Sequence, residues 1–324
     1  MNRNLQKIVL DATDSRTVSA QEVIQSLWSG YGEIVRLTLQ EGAVDSAIVK
    51  YIVIPDEIAH PRGWNTDRSH ARKMHSYDVE IAWYQKWSER CDDGCRVARC
   101  YAADSKGSEH LIVLEDLDAS GFPIRRSQLT KQEVKCCLQW LANFHATFIG
   151  EEASGLWQVG SYWHLETRPD EWAVMEEGEL KQAASEIDAL LNSAQYQTLI
   201  HGDAKVANFC FSADGQSVAA VDFQYVGGGC GMKDVAYFFG SCLSEDECEA
   251  WLDELLDEYF IVLRQALNAR HHDINFDALE SEWRQLFPVA WVDFHRFLLG
   301  WMPNHWKVND YSRRVTAQVL AQLA

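Results

Sequence analysis

His201-Gly202-Asp203-Ala204-Lys205-Val206-Ala207-Asn208-Phe209-Cys210-Phe211, followed after a polar turn by Val218-Ala219-Ala220-Val221-Asp222-Phe223-Gln224, decides the reading of this 324-residue chain. Two short apolar runs, Phe209 to Phe211 and Val218 to Val221, flank Ser212-Ala213-Asp214-Gly215, which is the composition of a β-hairpin. Such a hairpin brings Asn208, at the start of one strand, near Asp222, at the end of the other. Two oxygen-bearing side chains placed together suit Mg2+, which takes few protein oxygens and keeps phosphate oxygens and water. Asp203 and Lys205 lie on the loop just before. Phosphoryl transfer asks for this set: an acid to orient or deprotonate a hydroxyl, a cation on the moving phosphoryl group, and oxygen ligands for a metal.

Upstream, the pattern is first strand-like and then helical. Glu22 to Trp28, Glu33 to Gln40 and Ser46 to Ile54 are rich in β-branched and apolar residues, and tight connections between them predict an antiparallel meander. The polar stretch from Pro55 to Lys73 reads as a loop entering a helix. On that helix Tyr77, Ile81, Tyr84 and Ser88 recur at helical spacing, and Glu80 falls on the same apolar stripe, where a carboxylate needs a partner. Further β pattern runs over Arg96 to Tyr101 and His110 to Leu114. Thr130 with Glu133 forms a capping box ahead of Val134, Leu138, Leu141, His145 and Phe148, and Trp251 to Leu263 reads as another amphipathic helix. The expectation is an α+β chain, β-rich to about Asp116 and mostly helical beyond it.

Composition narrows the partners. Hydrophobic residues make up 47% and charged residues 24%, the balance of a soluble globular protein. With 29 Lys and Arg against 48 Asp and Glu the formal charge is -19, which disfavours nucleic acid, because binding it requires neutralising phosphates. The same charge means that ATP needs a local positive site and a metal. No apolar run reaches the length of a signal peptide or a membrane helix, so the expected location is the cytoplasm and no membrane partner is expected. Nine cysteines cannot all pair; Cys91, Cys95 and Cys100 are the one cluster near metal spacing, and they lack the paired CxxC form of a zinc site.

The motif D-x-K-x-x-N followed by D-F resembles the kinase catalytic loop and metal-binding aspartate. His201-Gly202-Asp203, in place of H-R-D, resembles the aminoglycoside phosphotransferase and choline kinase superfamily. The wording HGDAKVANFCF with VDFQYVGGG, and LEDL earlier, is most similar to its ecdysteroid-kinase-like branch. The resemblance implies a bilobal protein-kinase-like fold, with residues 1–116 as a nucleotide-binding lobe and 117–324 as a catalytic and substrate-binding lobe. It also implies roles. Asp203 and Lys205 would be catalytic, Asn208 and Asp222 would hold Mg2+, Gly30 and Gly32 of Ser29-Gly30-Tyr31-Gly32 would cover the ATP phosphates, and Lys50, paired with Glu80, would hold the α- and β-phosphates. Leu111 to Leu117 resembles the hinge segment that meets adenine. Asp234 resembles the aspartate that opens a helix under the catalytic loop, as an N-cap and support. His145 and His201 read as structural.

Eleven residues separate Asp222 from Asp234, and Gly227 to Gly229 read as flexible, leaving no room for the long activation segment of a protein kinase. The expected reaction is transfer of the γ-phosphoryl group of ATP to the hydroxyl of a small molecule. A catalytically silent nucleotide-binding module and a nucleotidyl transferase on the same fold are the alternatives. Trp157, Trp163, Trp172, Trp283, Trp291, Trp301 and Trp306 belong to the part expected to line the acceptor pocket, although tryptophans at helical spacing are usually core. The acceptor's identity and the oligomeric state are not encoded in any motif.

Overall fold

Along Gly32–Gln40 (β2), Val35, Leu37 and Leu39 are buried while Thr38 and Gln40 are exposed, the period of two that one packed face imposes on a strand. The computed structural model describes residues 3–27, 30–53 and 67–324. Within them β1 (Thr17–Ser26), β2 and β3 (Ser46–Val53) form the expected antiparallel meander. With β4 (Cys100–Lys106) and β5 (Glu109–Glu115) they make a five-stranded antiparallel sheet in the order β1-β2-β3-β5-β4. Strand β5 is buried on both faces. Leu111 and Val113 pack with Leu5 and Val9 of a helix, α1 (Arg3–Ala12), while Ile112 and Leu114 join the core that continues into the helical part of the chain. Register pairs Lys50 with Ile112, which points Lys50 to that second face. Helix α2 (Asp67–Lys86) packs there, contributing Val79, Ile81 and Trp83 to the same core.

The remainder is mostly helical: α3 (Lys131–Phe148), α4 (Pro169–Val174), α5 (Glu179–Asn192), then the short strands β6 (Thr198–Ile200), β7 (Phe209–Phe211), β8 (Val218–Ala220) and β9 (Gly227–Gly229), and finally α6 (Met232–Cys242), α7 (Glu245–Ala269), α8 (Phe276–Trp301) and α9 (Asp310–Leu323). The capping box at Thr130 and Glu133 starts α3, and Leu252, Leu255, Tyr259 and Leu263 are the buried stripe of α7. Among the described residues no helix is long and apolar enough to cross a membrane.

Several expectations shift. Strand β1 begins at Thr17 rather than Glu22; Trp28 and Ser29, together with residues 54–66 of the expected third strand end and entry loop, lie outside the described residues. The strand expected over Arg96 to Tyr101 starts only at Cys100, and Val97 instead makes an isolated bridge to Ala220. The glycines after Asp222 are not a flexible link. Gly227–Gly229 pairs with β6, and a β-carbon on Gly227 would lie 2.2 Å from the Trp157 carbonyl, so this strand is glycine because two chains pass it closely. Asp234 is not an N-cap: Gly231 holds that position and Asp234 lies inside the first turn of α6.

Candidate active site

The loop between β6 and β7 bends at Gly202, whose φ is +78° and whose β-carbon would come 2.1 Å from the Tyr225 carbonyl. Both the left-handed backbone and the contact require glycine there, which is a physical reason for H-G-D. Asp234 ties the bend from below, accepting the His201 N–H at 2.6 Å and the Gly202 N–H at 2.9 Å. His145 hydrogen-bonds Asp234 at 3.2 Å and the Tyr259 hydroxyl at 2.8 Å, so it is a satisfied core residue that also steadies the loop. His201 donates from Nε2 to the Val221 carbonyl at 3.0 Å, with Nδ1 accepting the Asp203 N–H at 3.2 Å. It joins the loop to the strand that ends at Asp222, as a structural residue does.

Asp203 is 4% exposed and held from three sides. Its Oδ1 accepts from the Tyr237 hydroxyl at 3.0 Å, and its Oδ2 from Lys205 at 2.8 Å and Asn208 Nδ2 at 3.1 Å. Asn208 Nδ2 also donates to the Asp203 carbonyl at 2.8 Å, which commits the amide nitrogen and turns the amide oxygen away from these bonds. The β7–β8 hairpin forms as expected, with the Val221 N–H donating to the Asn208 carbonyl at 3.0 Å. Asp222 follows in the left-handed region at φ +68°, an uncommon conformation for a residue other than glycine. One of its carboxylate oxygens, Oδ1, is buried without a hydrogen-bond partner among the described residues, with Lys50 Nζ 3.8 Å away. An orphaned carboxylate oxygen at the mouth of the hairpin that also carries Asn208 fits a hard divalent cation. Burial works against the Asp222 charge, but Lys50, Lys205 and Lys73 outweigh it and hold its pKa below the ordinary value.

Lys50 Nζ meets Glu80 at 2.6 Å and lies 3.8 Å from Asp222. Lysine and glutamate are 5% and 2% exposed, so the stripe carboxylate has found its partner. Burial again opposes charge on Lys50, while Glu80 and Asp222 more than compensate and raise its pKa. Lys73, which the motif reading missed, stands two turns before Glu80 on the same face of α2 and donates to the Gln224 amide oxygen at 2.8 Å. Burial and then the neighbouring Lys50 lower its pKa to about 8. The seven-residue spacing to Glu80 was the available signal.

These groups line one cleft of about 1300 Å3 between the sheet and the helical part. Ile48, Ala98, Leu114, Leu117 and Val221 give it an apolar end, and Lys50, Lys73, Asp203, Asn208 and Asp222 follow. Gly30 and Gly32 are not in its wall. The Gly30 N–H is taken by the Leu27 carbonyl at 3.3 Å, Gly32 begins β2 against the Tyr51 carbonyl, and Leu27 and Tyr31 face the cleft instead. Glu115 and Asp116 are occupied elsewhere: Arg96 meets Glu115 at 2.6 Å, while Arg36 at 2.7 Å and Ser46 at 2.9 Å meet Asp116. Of the seven tryptophans, Trp301 alone lines the cleft among the described residues; Trp163, Trp283 and Trp291 are buried.

A five-stranded sheet with a lysine paired to a helix glutamate, set over a helical part bearing D-x-K-x-x-N and D-F, is a kinase-like fold. The profile of the ecdysteroid kinase-like family matches residues 60–150 and 167–271, well over half of the chain, and the protein belongs to that family. No curated protein matches the sequence. Among solved structures it is similar to an amicoumacin kinase in complex with AMP-PNP and Ca2+, at 13% identity and TM-score 0.56, covering 99% of this chain and 93% of that one. A microcompartment-associated aminopropanol kinase matches at 15% identity and TM-score 0.49, covering 99% and 94%. The choline kinase of Streptococcus pneumoniae matches at 14% and 0.46, covering 99% and 98%. At these identities the likeness is one of fold.

Proposed function

We propose that the protein is an ATP- and Mg2+-dependent small-molecule kinase, transferring the γ-phosphoryl group to a substrate hydroxyl. The observation that carries the reading is the trio of hydrogen bonds that fixes Asp203 beside Lys205, Asn208 and the orphaned oxygen of Asp222. Residues 1–116 then serve as the nucleotide-binding lobe and 117–324 as the catalytic and acceptor-binding lobe.

In this reading adenine enters the apolar end of the cleft. Lys50, held straight by Glu80, binds the α- and β-phosphates, and Lys73 adds a second cation on the same helix face. Leu27 and Tyr31, which flank the glycine turn, face the cleft on the phosphate side. Asn208 and Asp222 hold the metal, which supplies positive charge to the phosphates as negative charge builds on them. Asp203, aimed by Tyr237 and Asn208, orients the acceptor hydroxyl and takes its proton. Lys205 sits with Asn208 on Oδ2 of that carboxylate, across from the Tyr237 hydroxyl on Oδ1, and offers its ammonium to the moving phosphoryl group. The link from Phe223 to Lys233 is short and partly paired with β6, which supports a small acceptor over a protein. Lys50, Asp203, Asn208 and Asp222 are all present and mutually held, against the reading as a silent nucleotide-binding module.

The test is an ADP-release screen over alcohols, amino sugars, choline analogues, sterols and hydroxy acids, with Asp203→Ala as the blank. ADP release that depends on both acceptor and Asp203 is expected. MgATP binding with no turnover on any acceptor would sink the reading, and an AMP-modified product would replace it with nucleotidyl transfer.

A further inference from the structure

The wall of the cleft beyond Asp203 carries a charge opposite to that of the chain. Against an overall formal charge of -19, Arg72 from α2 and Arg168 just before α4 both line it. Arg168 is 5% exposed. Its Nε donates to the Tyr162 carbonyl at 2.7 Å, its Nη1 to Glu171 at 3.2 Å, and its guanidinium lies over the Tyr162 ring at 4.2 Å from the centroid. Its Nη2 has no partner among the described residues. Arg72 donates to the Thr167 carbonyl at 2.7 Å and to the Ser69 hydroxyl at 2.9 Å, and no carboxylate pairs with it among the described residues. Among the described residues Glu171 is the one carboxylate hydrogen-bonded to either guanidinium, and it is bonded to Arg168. Burial first, and then the charge of Arg168, hold the Arg72 pKa below its ordinary value.

Charges withdrawn from water are normally paired, and half-buried Arg72 has no carboxylate partner among the described residues. Its fixings explain what it is for. Neutral main-chain oxygens hold Arg72 and one side of Arg168 in place without cancelling their charge, which is how a planar fork is kept ready for an anion. Flat apolar surface surrounds them: the Tyr162 ring meets Tyr225 edge-on at 5.3 Å and Trp301 at 6.4 Å. Among the described residues the carboxylates of this wall are engaged, Glu171 with Arg168 and Asp203 with Lys205, which disfavours a cationic acceptor.

We propose that the acceptor is a hydroxylated organic anion, its carboxylate or phosphate bound by Arg72 and Arg168 beside the Tyr162 wall and its hydroxyl turned to Asp203. This rests on the kinase reading above and adds the substrate's charge to it.

The experiment measures ADP release with matched acceptors: aromatic hydroxy acids, their methyl esters, sugar phosphates, and choline with amino sugars. The anions are expected to turn over with kcat/KM about tenfold or more above the esters, and comparing acids with sugar phosphates tells which anion is read. Arg72→Gln is expected to lower kcat/KM for the anionic acceptor about 10- to 100-fold while leaving the KM for MgATP unchanged. Arg168 is buried and pinned, and its replacement risks the fold; the half-buried Arg72 carries the test. Preference for esters, choline or amino sugars overturns the inference and leaves the kinase reading standing. So does an Arg72→Gln variant that raises only the KM for MgATP, which would make Arg72 a γ-phosphate ligand. ADP release from no acceptor at all overturns the kinase reading, and this inference with it.

Discussion

At one end of the cleft Lys50 meets Glu80 and Asp222 and Lys205 meets Asp203, while Lys73 is held by the Gln224 amide. At the other end Arg72 is held by a main-chain carbonyl and a hydroxyl and answers another arginine. The first end is complete in itself apart from one orphaned oxygen on Asp222. Among the described residues the second end offers Arg72 no hydrogen-bonded carboxylate. The difference teaches where chemistry and where selection reside. Groups that run a reaction must be set against one another, whereas groups that choose a substrate are left unbalanced for it to balance.

Removing Asp203 should break the complete end most severely. Asp203→Ala is expected to lower kcat by about 10^2- to 10^4-fold, the range for a lost general base, with MgATP binding retained in a calorimetric titration. Glu80→Ala leaves Lys50 buried with only the more distant Asp222. A loss of about 3 kcal/mol is expected in urea unfolding, and Lys50→Met combined with Glu80→Leu should recover stability without activity. If Glu80→Ala unfolded at the wild-type midpoint, the pair would not be the structural joint it is taken for. Asp222→Ala should weaken Mg2+-dependent ATP binding about 100-fold while leaving metal-free nucleotide binding unchanged. The smallest effect concerns Lys73. Its pKa of about 8 lies below the ordinary lysine value, so its charge is present below that pH and lost above it. The kcat/KM for MgATP should fall as pH rises through about 8, and Lys73→Met should flatten that limb.

The same division explains what could be read in advance. His201 to Asn208 and the hairpin to Asp222 are local, and a hairpin with ligands at its mouth leaves a pattern within two dozen residues. Lys50 and Glu80 lie farther apart, but their order along the chain follows the kinase pattern. Tyr237, Arg72 and Arg168 come from three separate elements and meet only in the folded chain, so no spacing announces them. Strand β1 was shortened because it is exposed along almost its whole length and shows no apolar alternation. Helix α1 did leave a signal, Leu5 and Val9 one turn apart, which passed unused. The strand at Gly227–Gly229 had none, since glycine is disfavoured in strands and this one exists to let Trp157 and Ile200 come close.

Helix α2 is fastened at four points along its length to three parts of the chain: Arg72 to Thr167, Glu80 to Lys50, and Lys73 and Trp83 to the neighbours Gln224 and Phe223, the rings of Trp83 and Phe223 stacked at 4.4 Å. A rod riveted at four points does not swing aside on one hinge. On the proposed reading this one mount carries both the glutamate that sets the phosphate-binding lysine and the arginine that faces the acceptor, so a displacement at any of these fastenings would be felt on both sides of the cleft.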